Sequence, residues 1–395
     1  MAGWVERRGE NKWRLNVPGG TDPDGKRIVY RKNVEAPSKR EAEKLLDLFS
    51  AEVLKGEYVQ PSKLSFKQFV DRWYRDYGEA NLELKTLHRY KELLARAIQA
   101  FGHIKLEDIK PVDLLAFYKK LQEDGVRKDG KPGGLAARTI LHHHRAISAV
   151  LQDAVEWQVI PSNPAARVKP PKVKAKPASF YDKEQTAALL AALDQEPFKY
   201  KMMVILALAT GVRMGELNGL EWSNVDFENS TITVNQAAQY LPGKGSFTKD
   251  PKNDTSRRPI TVPESVMALL KQYKAHQAEE RLKVGDLWQG SNRLFTSFDG
   301  RPMFPNTISN WFPKFLARHK LPHVTFHGLR HTNASLLIAA GVNLKNVSAR
   351  LGHSNVSTTG NIYAHVLKSA DQEAAKKLDD ILNGNTQKKK KQKRV

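Results

Sequence analysis

Five prolines fall close together at Pro161, Pro164, Pro170, Pro171 and Pro177, and neither a helix nor a central strand can run through such a series. The chain must therefore fold as separate bodies on either side, joined by a stiff, extended connection. The same stretch, RVKPPKVKAK, carries Arg167, Lys169, Lys172, Lys174 and Lys176 with no acid among them. Cations held at extended spacing can follow a phosphate backbone. A merely soluble linker is the plainer reading.

Upstream, KWRLNV alternates Trp13, Leu15 and Val17, and RIVYRKNV sets Ile28, Tyr30 and Val34 on one face, with PGGTDPDG turning between them. That pattern predicts a β-hairpin. Ser38 followed by Glu41 predicts a capping box before a helix whose Ala42, Leu45, Phe49 and Val53 recur at helical spacing. Residues 1–58 thus read as a small β-sheet plus one packed helix. Residues 63–165 read as all-α, four or five helices with stripes Phe66, Phe69, Val70, Trp73, Tyr77; Leu87, Tyr90, Leu94, Ile98; and Ile140, Ile147, Val150, Leu151, Ala154. Within it, His142, His143 and His144 are consecutive, so on a helix they point in different directions. Contact with solvent or phosphate is the expectation for them, not a shared metal ion.

Residues 166–178 form the basic linker, and 179–383 are mixed but mostly helical. Asp182 and Gln185 predict a second capping box, and FKYKMMVILALAT predicts a buried helix. DFENSTITV and RRPITV are β-branched runs separated by a glycine- and charge-rich stretch, which predicts a small antiparallel sheet. From His327 the pattern is helical again, broken at Gly341, Gly352 and Gly384. Residues 384–395 are a basic, disordered tail, readable as a phosphate-binding arm, an import-like segment or an expression remnant. The expected fold class is multidomain α+β, with no internal repeat.

Lysine and arginine number 64 against 42 acids, a net charge of +22. That balance favours a polyanionic partner, nucleic acid or an anionic membrane surface, over a small acidic metabolite. The longest strongly apolar run, MMVILALA, is far shorter than the ~20 residues that span a bilayer. The opening residues lack a signal-peptide pattern. With no cysteine, disulfides and thiolate metal sites are excluded, and a reducing cytoplasm is the expected compartment, with no membrane partner.

The chemistry concentrates in TFHGLRHTNASLLI. His327 and His331 are four apart, as in a zinc-binding helix, but Gly328 stands where that motif carries its glutamate base. No metal site is expected there. The remaining polar candidates are Arg213 and Glu216 in TGVRMGEL, Lys252 in PKNDTSRR, Arg330 in HGLRH, and His353 and Tyr363 in ARLGHSNVSTTGNIYAHV. Two arginines, a lysine and two histidines suit one anionic centre. In phosphodiester cleavage the protein positions groups and neutralises charge on the non-bridging oxygens. Arginine forks such as Arg213 and Arg330 match those oxygens two bonds at a time. A metal-free site also needs a nucleophile and a proton donor. Tyr363, a phenol of ordinary pKa ~10 that cations can activate, suits the first role. Lys252 suits the second.

In this order and context the chain resembles the tyrosine recombinases, specifically integrases of phages and integrative elements. The pattern Arg, Lys, His-x-x-Arg, His, Tyr is met by Arg213, Lys252, His327, Arg330, His353 and Tyr363, in the settings ATGVRMGEL, PKNDTSRRPI, TFHGLRHTNASLL, RLGHSNVSTT and IYAHV. The resemblance extends upstream. It implies an arm-type DNA-binding domain at 1–58, a helical core-binding domain at 63–165 and a catalytic domain at 179–383. The two larger domains would clamp a duplex, with Arg167, Lys169, Lys172, Lys174 and Lys176 tracking between them. Tyr363 would form a 3′-phosphotyrosyl link and free a 5′-hydroxyl, with no metal or nucleotide cofactor, and Glu216 would orient its neighbours. The partners implied are double-stranded DNA at core and arm attachment sites and three further copies in a homotetramer on paired sites. The stripe Leu367, Ala370, Ala374, Leu378, Ile381 would be exchanged between copies. An excision or DNA-bending accessory protein fits the same picture, as does a nucleoid location in a prokaryotic host. Lys249, three positions before Lys252, is the rival general acid. A non-catalytic DNA-binding regulator on the same scaffold and a type IB topoisomerase-like strand-passing enzyme are the alternative functions.

Overall fold

The computed structural model describes residues 3–21, 25–56, 58–60, 62–174, 179–249 and 257–352, with 355, 356, 360, 375, 378, 379, 381 and 382. The chain divides into two compact units, Met1–Ala175 and Lys176–Val395, the division falling inside the proline-rich basic stretch.

The first unit opens with an antiparallel sheet of β1 (Trp4–Gly9), β2 (Lys12–Thr21) and β3 (Arg27–Glu35) in that order. The β2–β3 register sets Trp13 opposite Val34 and Val17 opposite Tyr30, so the alternating apolar residues meet as cross-strand pairs. Helix α1 (Lys39–Leu54) starts where Ser38 Oγ accepts from the Glu41 amide at 3.3 Å. It packs Leu46 and Phe49 on Leu15 and Val17.

Helix α2 (Phe66–Trp73) is entered through a full capping box between Ser65 and Gln68. It runs through a π-helical turn, Tyr74–Gly78, into the short α3 (Glu79–Asn81). Then come α4 (Leu84–Phe101), α5 (Pro111–Lys120) and α6 (Ala137–Glu156). The apolar stripes close one core around Phe66, Phe69, Trp73, Leu94, Ile140, Ile147 and Leu151. His143 departs from the expectation for the histidine run. It is buried, with Nδ1 3.0 Å from the Leu93 carbonyl oxygen, while His144 meets the Tyr118 hydroxyl and His142 is exposed. The three rings diverge as helical geometry demands, but α6 turns its middle histidine into the α4 contact.

The second unit begins with α7 (Lys183–Ala192), whose predicted box is complete: the Gln185 amide donates to Asp182 Oδ1 at 2.7 Å, and the Asp182 amide to Gln185 Oε1 at 3.2 Å. Helix α8 (Phe198–Thr210) is the unit's central element, with Met202, Met203, Val204, Leu206 and Ala207 all buried. After α9 (Met214–Gly219) the chain forms β4 (Val225–Asp226), β5 (Thr231–Val234), the hairpin β6 (Ala237–Leu241) and β7 (Gly245–Lys249), and β8 (Arg258–Thr261). The predicted single sheet is two: a three-stranded antiparallel β4-β5-β8, and the β6-β7 hairpin inserted between β5 and β8. Helices α10 (Glu264–Val284), α11 (Thr307–Arg318), α12 (Gly328–Ala339) and α13 (Leu344–Leu351) complete the unit. Among the described residues, no helix is long and apolar enough to cross a membrane.

Asp182 caps the first helix of the second unit, and a side-chain N-cap contributes about 1 kcal/mol. Asp182→Ala is expected to lower the unfolding free energy of the full chain by about that amount, read from the urea midpoint at unchanged slope.

Candidate active site

Helix α8 ends at Gly211, which adopts φ 65°. A Cβ at Gly211 would lie 2.6 Å from Leu351 Cδ2 and 2.7 Å from Asn333 Oδ1, so glycine is required by both backbone and space. This reversal buries Val212 and makes Arg213 the N-cap of α9. Glu216 reaches back: its Oε2 accepts from the Arg213 amide at 2.9 Å, and its Oε1 from Arg213 Nη1 at 2.7 Å. The remaining Nη2 donates to the Gly352 carbonyl at 3.0 Å. The Arg213 side chain keeps 41% of its surface exposed while that of Glu216 keeps 8%. The pair is thus a half-open cation on a buried anion, not a surface ion pair.

The buried carboxylate has a second partner that sequence reasoning missed. Arg258, at the start of β8, donates from Nη2 to Glu216 Oε2 at 2.9 Å and lies with Nη1 3.5 Å from Oε1, while its Nε donates to the Arg350 carbonyl at 2.9 Å. A signal for it existed. Arg258 shares strand parity with Ile260, and along β8 the residues alternate buried and exposed, so period two alone assigns this arginine to the inner face. Gly352, at φ 68°, leaves room for it, since a Cβ there would sit 2.8 Å from Arg258 Nη1. Burial by itself would raise the Glu216 carboxyl. The hydrogen bond and charge of Arg258, with the amide and guanidinium of Arg213, overcome that and hold it below the ordinary value.

His327 and Arg330 come from the turn that starts α12. The Gly328 amide donates to the Thr325 carbonyl at 2.7 Å and the Arg330 amide to the His327 carbonyl at 3.1 Å. Gly328 is necessary, because a Cβ would meet Val324 Cγ2 at 2.2 Å and the Ser179 carbonyl oxygen at 2.9 Å. Arg330, only 2% exposed, donates from Nη1 to the Gly211 carbonyl at 2.8 Å. The His327 and His331 rings lie edge to face, centroids 5.1 Å apart. Burial, then the charges of Arg330 and Arg213, push the His327 imidazole below its ordinary value, with Glu216 opposing. Burial, then His327 and Arg330, push His331 down to about 4. Both shifts favour the neutral ring.

Two further side chains close the end of α8. Asn333 Nδ2 donates to the Leu208 carbonyl at 2.6 Å, and Arg350 Nη2 donates to the carbonyls of Ala209 at 2.7 Å and Thr261 at 3.0 Å. The hairpin docks on α9: a Cβ at Gly219 would meet the Gln236 carbonyl oxygen at 2.9 Å. Lys249 stands at the hairpin's outgoing end, paired in register with Ala237. Of the predicted site residues, the structure thus gathers Arg213, Glu216, His327 and Arg330 around the Gly211 turn. Lys252, His353 and Tyr363 lie outside the described residues, as does Lys176. Arg167, Lys169, Lys172 and Lys174 are exposed while Val168 between them is buried, so the linker cations face solvent.

Comparison with known proteins places this geometry in context. Residues 179–370 match the phage integrase family, and residues 65–122 match the phage integrase N-terminal SAM-like domain. A XerC-like tyrosine recombinase of Caldanaerobacter subterraneus subsp. tengcongensis is 27% identical over 95% of this chain and 97% of its own length. The ICEBs1 integrase of Bacillus subtilis is 24% identical over 96% of this chain and all of its own. Among solved structures, the Tn1549 transposon integrase in complex with a circular intermediate DNA superposes with TM-score 0.65 at 23% identity, covering 80% of this chain and 99% of that one. A lambda integrase tetramer bound to a Holliday junction gives 0.56 at 17% identity, covering 91% and 94%.

Gly328→Ala forces the α12 turn away from Ser179 and moves Arg330 off the Gly211 carbonyl. A loss of about 2–4 kcal/mol in unfolding free energy is expected from such overpacking against backbone, measured by urea denaturation. A second expectation concerns acid. The His331 pKa of about 4 lies below its ordinary 6.5, so between these values the unfolded chain binds the proton and the folded chain does not. Stability from this group is complete above pH 6.5 and is lost as pH falls toward 4. His331→Asn should reduce the fall in melting temperature between pH 7 and pH 5; an unchanged fall would contradict the assignment.

Proposed function

The chain belongs to the phage integrase family of tyrosine recombinases, and we propose that it is a site-specific recombinase that integrates or excises a mobile element by cutting and rejoining DNA through a 3′-phosphotyrosyl intermediate. The observation that carries this reading is the arrangement around Gly211. There the half-exposed guanidinium of Arg213, at the start of α9, meets the His327 imidazole and the buried Arg330 guanidinium from the start of α12, a set suited to one phosphodiester.

Arg213 presents its open face to the non-bridging oxygens while Glu216 and the Gly352 carbonyl fix its plane. Arg330 is nearly closed off from solvent, so its charge acts where screening is weak. His327, whose burial favours the neutral ring, can donate its one N–H to a phosphate oxygen. Tyr363 is the nucleophile: its phenol releases its proton to solvent as its oxygen bonds to phosphorus and the bond to the 5′ oxygen breaks, and Lys252 gives that departing oxygen its proton. His353 completes the six-residue pattern. A 5′-hydroxyl of the partner strand then attacks the phosphotyrosine and regenerates Tyr363, so bond energy is conserved without a nucleotide cofactor.

The DNA partner is supported by the net charge of +22 and the solvent-facing linker cations. In our reading, residues 1–58 hold arm sites and residues 63–165 hold core sites. Linking the two raises the effective concentration of each on paired DNA. A homotetramer is the working assembly; Leu378 and Ile381, 58% and 65% exposed, are available for exchange between copies, while Leu367, Ala370 and Ala374 lie outside the described residues. An excision or bending protein acting on the same DNA, and a place on the nucleoid, belong to the same proposal.

The test is covalent trapping on nicked duplexes spanning the element's own junctions, in the presence of chelator. Wild-type protein is expected to give a denaturation-resistant protein–DNA band, and Tyr363→Phe none. A DNA shift without a band from the wild type would favour the regulator reading, and a band from both proteins would place the nucleophile elsewhere.

A further inference from the structure

We propose that Arg258 is a positioning residue for strand cleavage, acting through Glu216 on the aim of Arg213 and through the Arg350 carbonyl on the end of α13. The inference rests on the cleavage reading above and adds a residue that the six-residue pattern does not contain.

The hydrogen bonds leave little slack. Glu216 Oε1 takes Arg213 Nη1 at 2.7 Å with Arg258 Nη1 3.5 Å away, and Oε2 takes the Arg213 amide and Arg258 Nη2, each at 2.9 Å. The carboxylate plane is therefore set jointly by the two arginines. Without Arg258, Oε2 keeps only an amide donor, and the carboxylate is free to turn both oxygens toward the Arg213 guanidinium. Arg213 would follow it and leave the Gly352 carbonyl, to which Nη2 now donates at 3.0 Å. Bidentate matching to phosphate oxygens depends on the plane of the fork, so a rotation there costs rate without removing charge.

The second arm of Arg258 reaches the same helix end. Its Nε donates to the Arg350 carbonyl, two residues before the carbonyl that Arg213 holds. The last turn of α13 is thus pinned by both partners of Glu216, and the chain continues from Gly352 directly into His353. Arg258 is 7% exposed and directs its Nη1 and Nη2 at Glu216 and its Nε at the Arg350 carbonyl, so it acts through those partners. The positive φ of Gly352, whose missing Cβ opens the space that Arg258 fills, is a second, independent accommodation of this side chain.

The experiment uses the full chain and nicked duplexes spanning the element's junction, with either an ordinary scissile phosphate or a methylphosphonate that lacks one anionic oxygen. Covalent complex formation is timed at saturating protein, and gel shift and melting temperature are measured alongside. Arg258→Met is expected to bind DNA as the wild type does and to cleave the phosphate about 10–100-fold more slowly, the usual cost of losing an orienting partner. Its deficit relative to wild type should shrink to about threefold or less on the methylphosphonate, where there is less charge for Arg213 to neutralise. If Arg258→Met melts below the assay temperature, Arg258→Lys, which cannot span Glu216 and the Arg350 carbonyl together, carries the same comparison. Equal deficits on both substrates would reduce Arg258 to a structural strut and overturn the proposal, as would cleavage of the ordinary phosphate at the wild-type rate. No covalent band from the wild type would overturn the cleavage reading itself, an outcome distinct from either.

Discussion

The open carbonyls at the end of α8 organise the second unit. A helix terminates with acceptors that no backbone donor of its own can satisfy, and here they lie on part-buried and buried residues. The carbonyl of Leu208 is met by Asn333, that of Ala209 by Arg350, and that of Gly211 by Arg330. Three side chains from α12 and α13 thus complete one helix end, and two of them carry positive charge to the negative pole of the helix dipole. The candidate site follows from this closure. The turn that Arg330 holds is the turn that launches Arg213, so the two guanidinium groups are registered through one residue of backbone.

Charge balance sets the next layer. Arg213, Arg258, Arg330 and Arg350 crowd a largely buried region, and Glu216 is the acid that takes two of them directly. An ion pair withdrawn from water repays its desolvation only when every polar atom is well bonded. Glu216 meets that condition with donors on both oxygens. Arg330 and Arg350 each bond backbone carbonyls through one terminal nitrogen, which fixes their positions without cancelling their charge. The result is a site of net positive potential held rigidly before any phosphate arrives, the form of preorganisation that phosphoryl chemistry uses.

The sequence was most legible where one period governed burial. Phe66, Phe69, Val70 and Trp73, read as a helical stripe, are at most 1% exposed, and the Asp182–Gln185 box closes as its spacing predicts. The β6–β7 hairpin was not legible. NQAAQYL is part-buried along its length and GSFTK alternates part-buried with exposed positions, but neither run carries a period-two apolar pattern in its residues. They pair because the turn and α9 hold them. His143 was misread for a related reason: its neighbours His142 and His144 suggest a polar face, yet α6 turns that one residue toward α4. At the site, motif order identified Arg213, His327 and Arg330 as a group. It could not identify Arg258, whose importance lies in whom it bonds and not in a spacing.

A carboxylate shared between two guanidinium groups also binds three positions into one inherited unit. Arg258 stands 42 residues from Glu216 along the chain, on a different element, yet neither can drift alone. Loss of Glu216 would leave a buried cation beside Arg213 with its counter-charge gone, and loss of Arg258 would release the carboxylate that disciplines Arg213. Neutral paths through sequence space must change 216 and 258 together or pass through a poorly folded or poorly aimed intermediate. In this region the enzyme's capacity to diversify is set by a pairwise lock between positions 216 and 258.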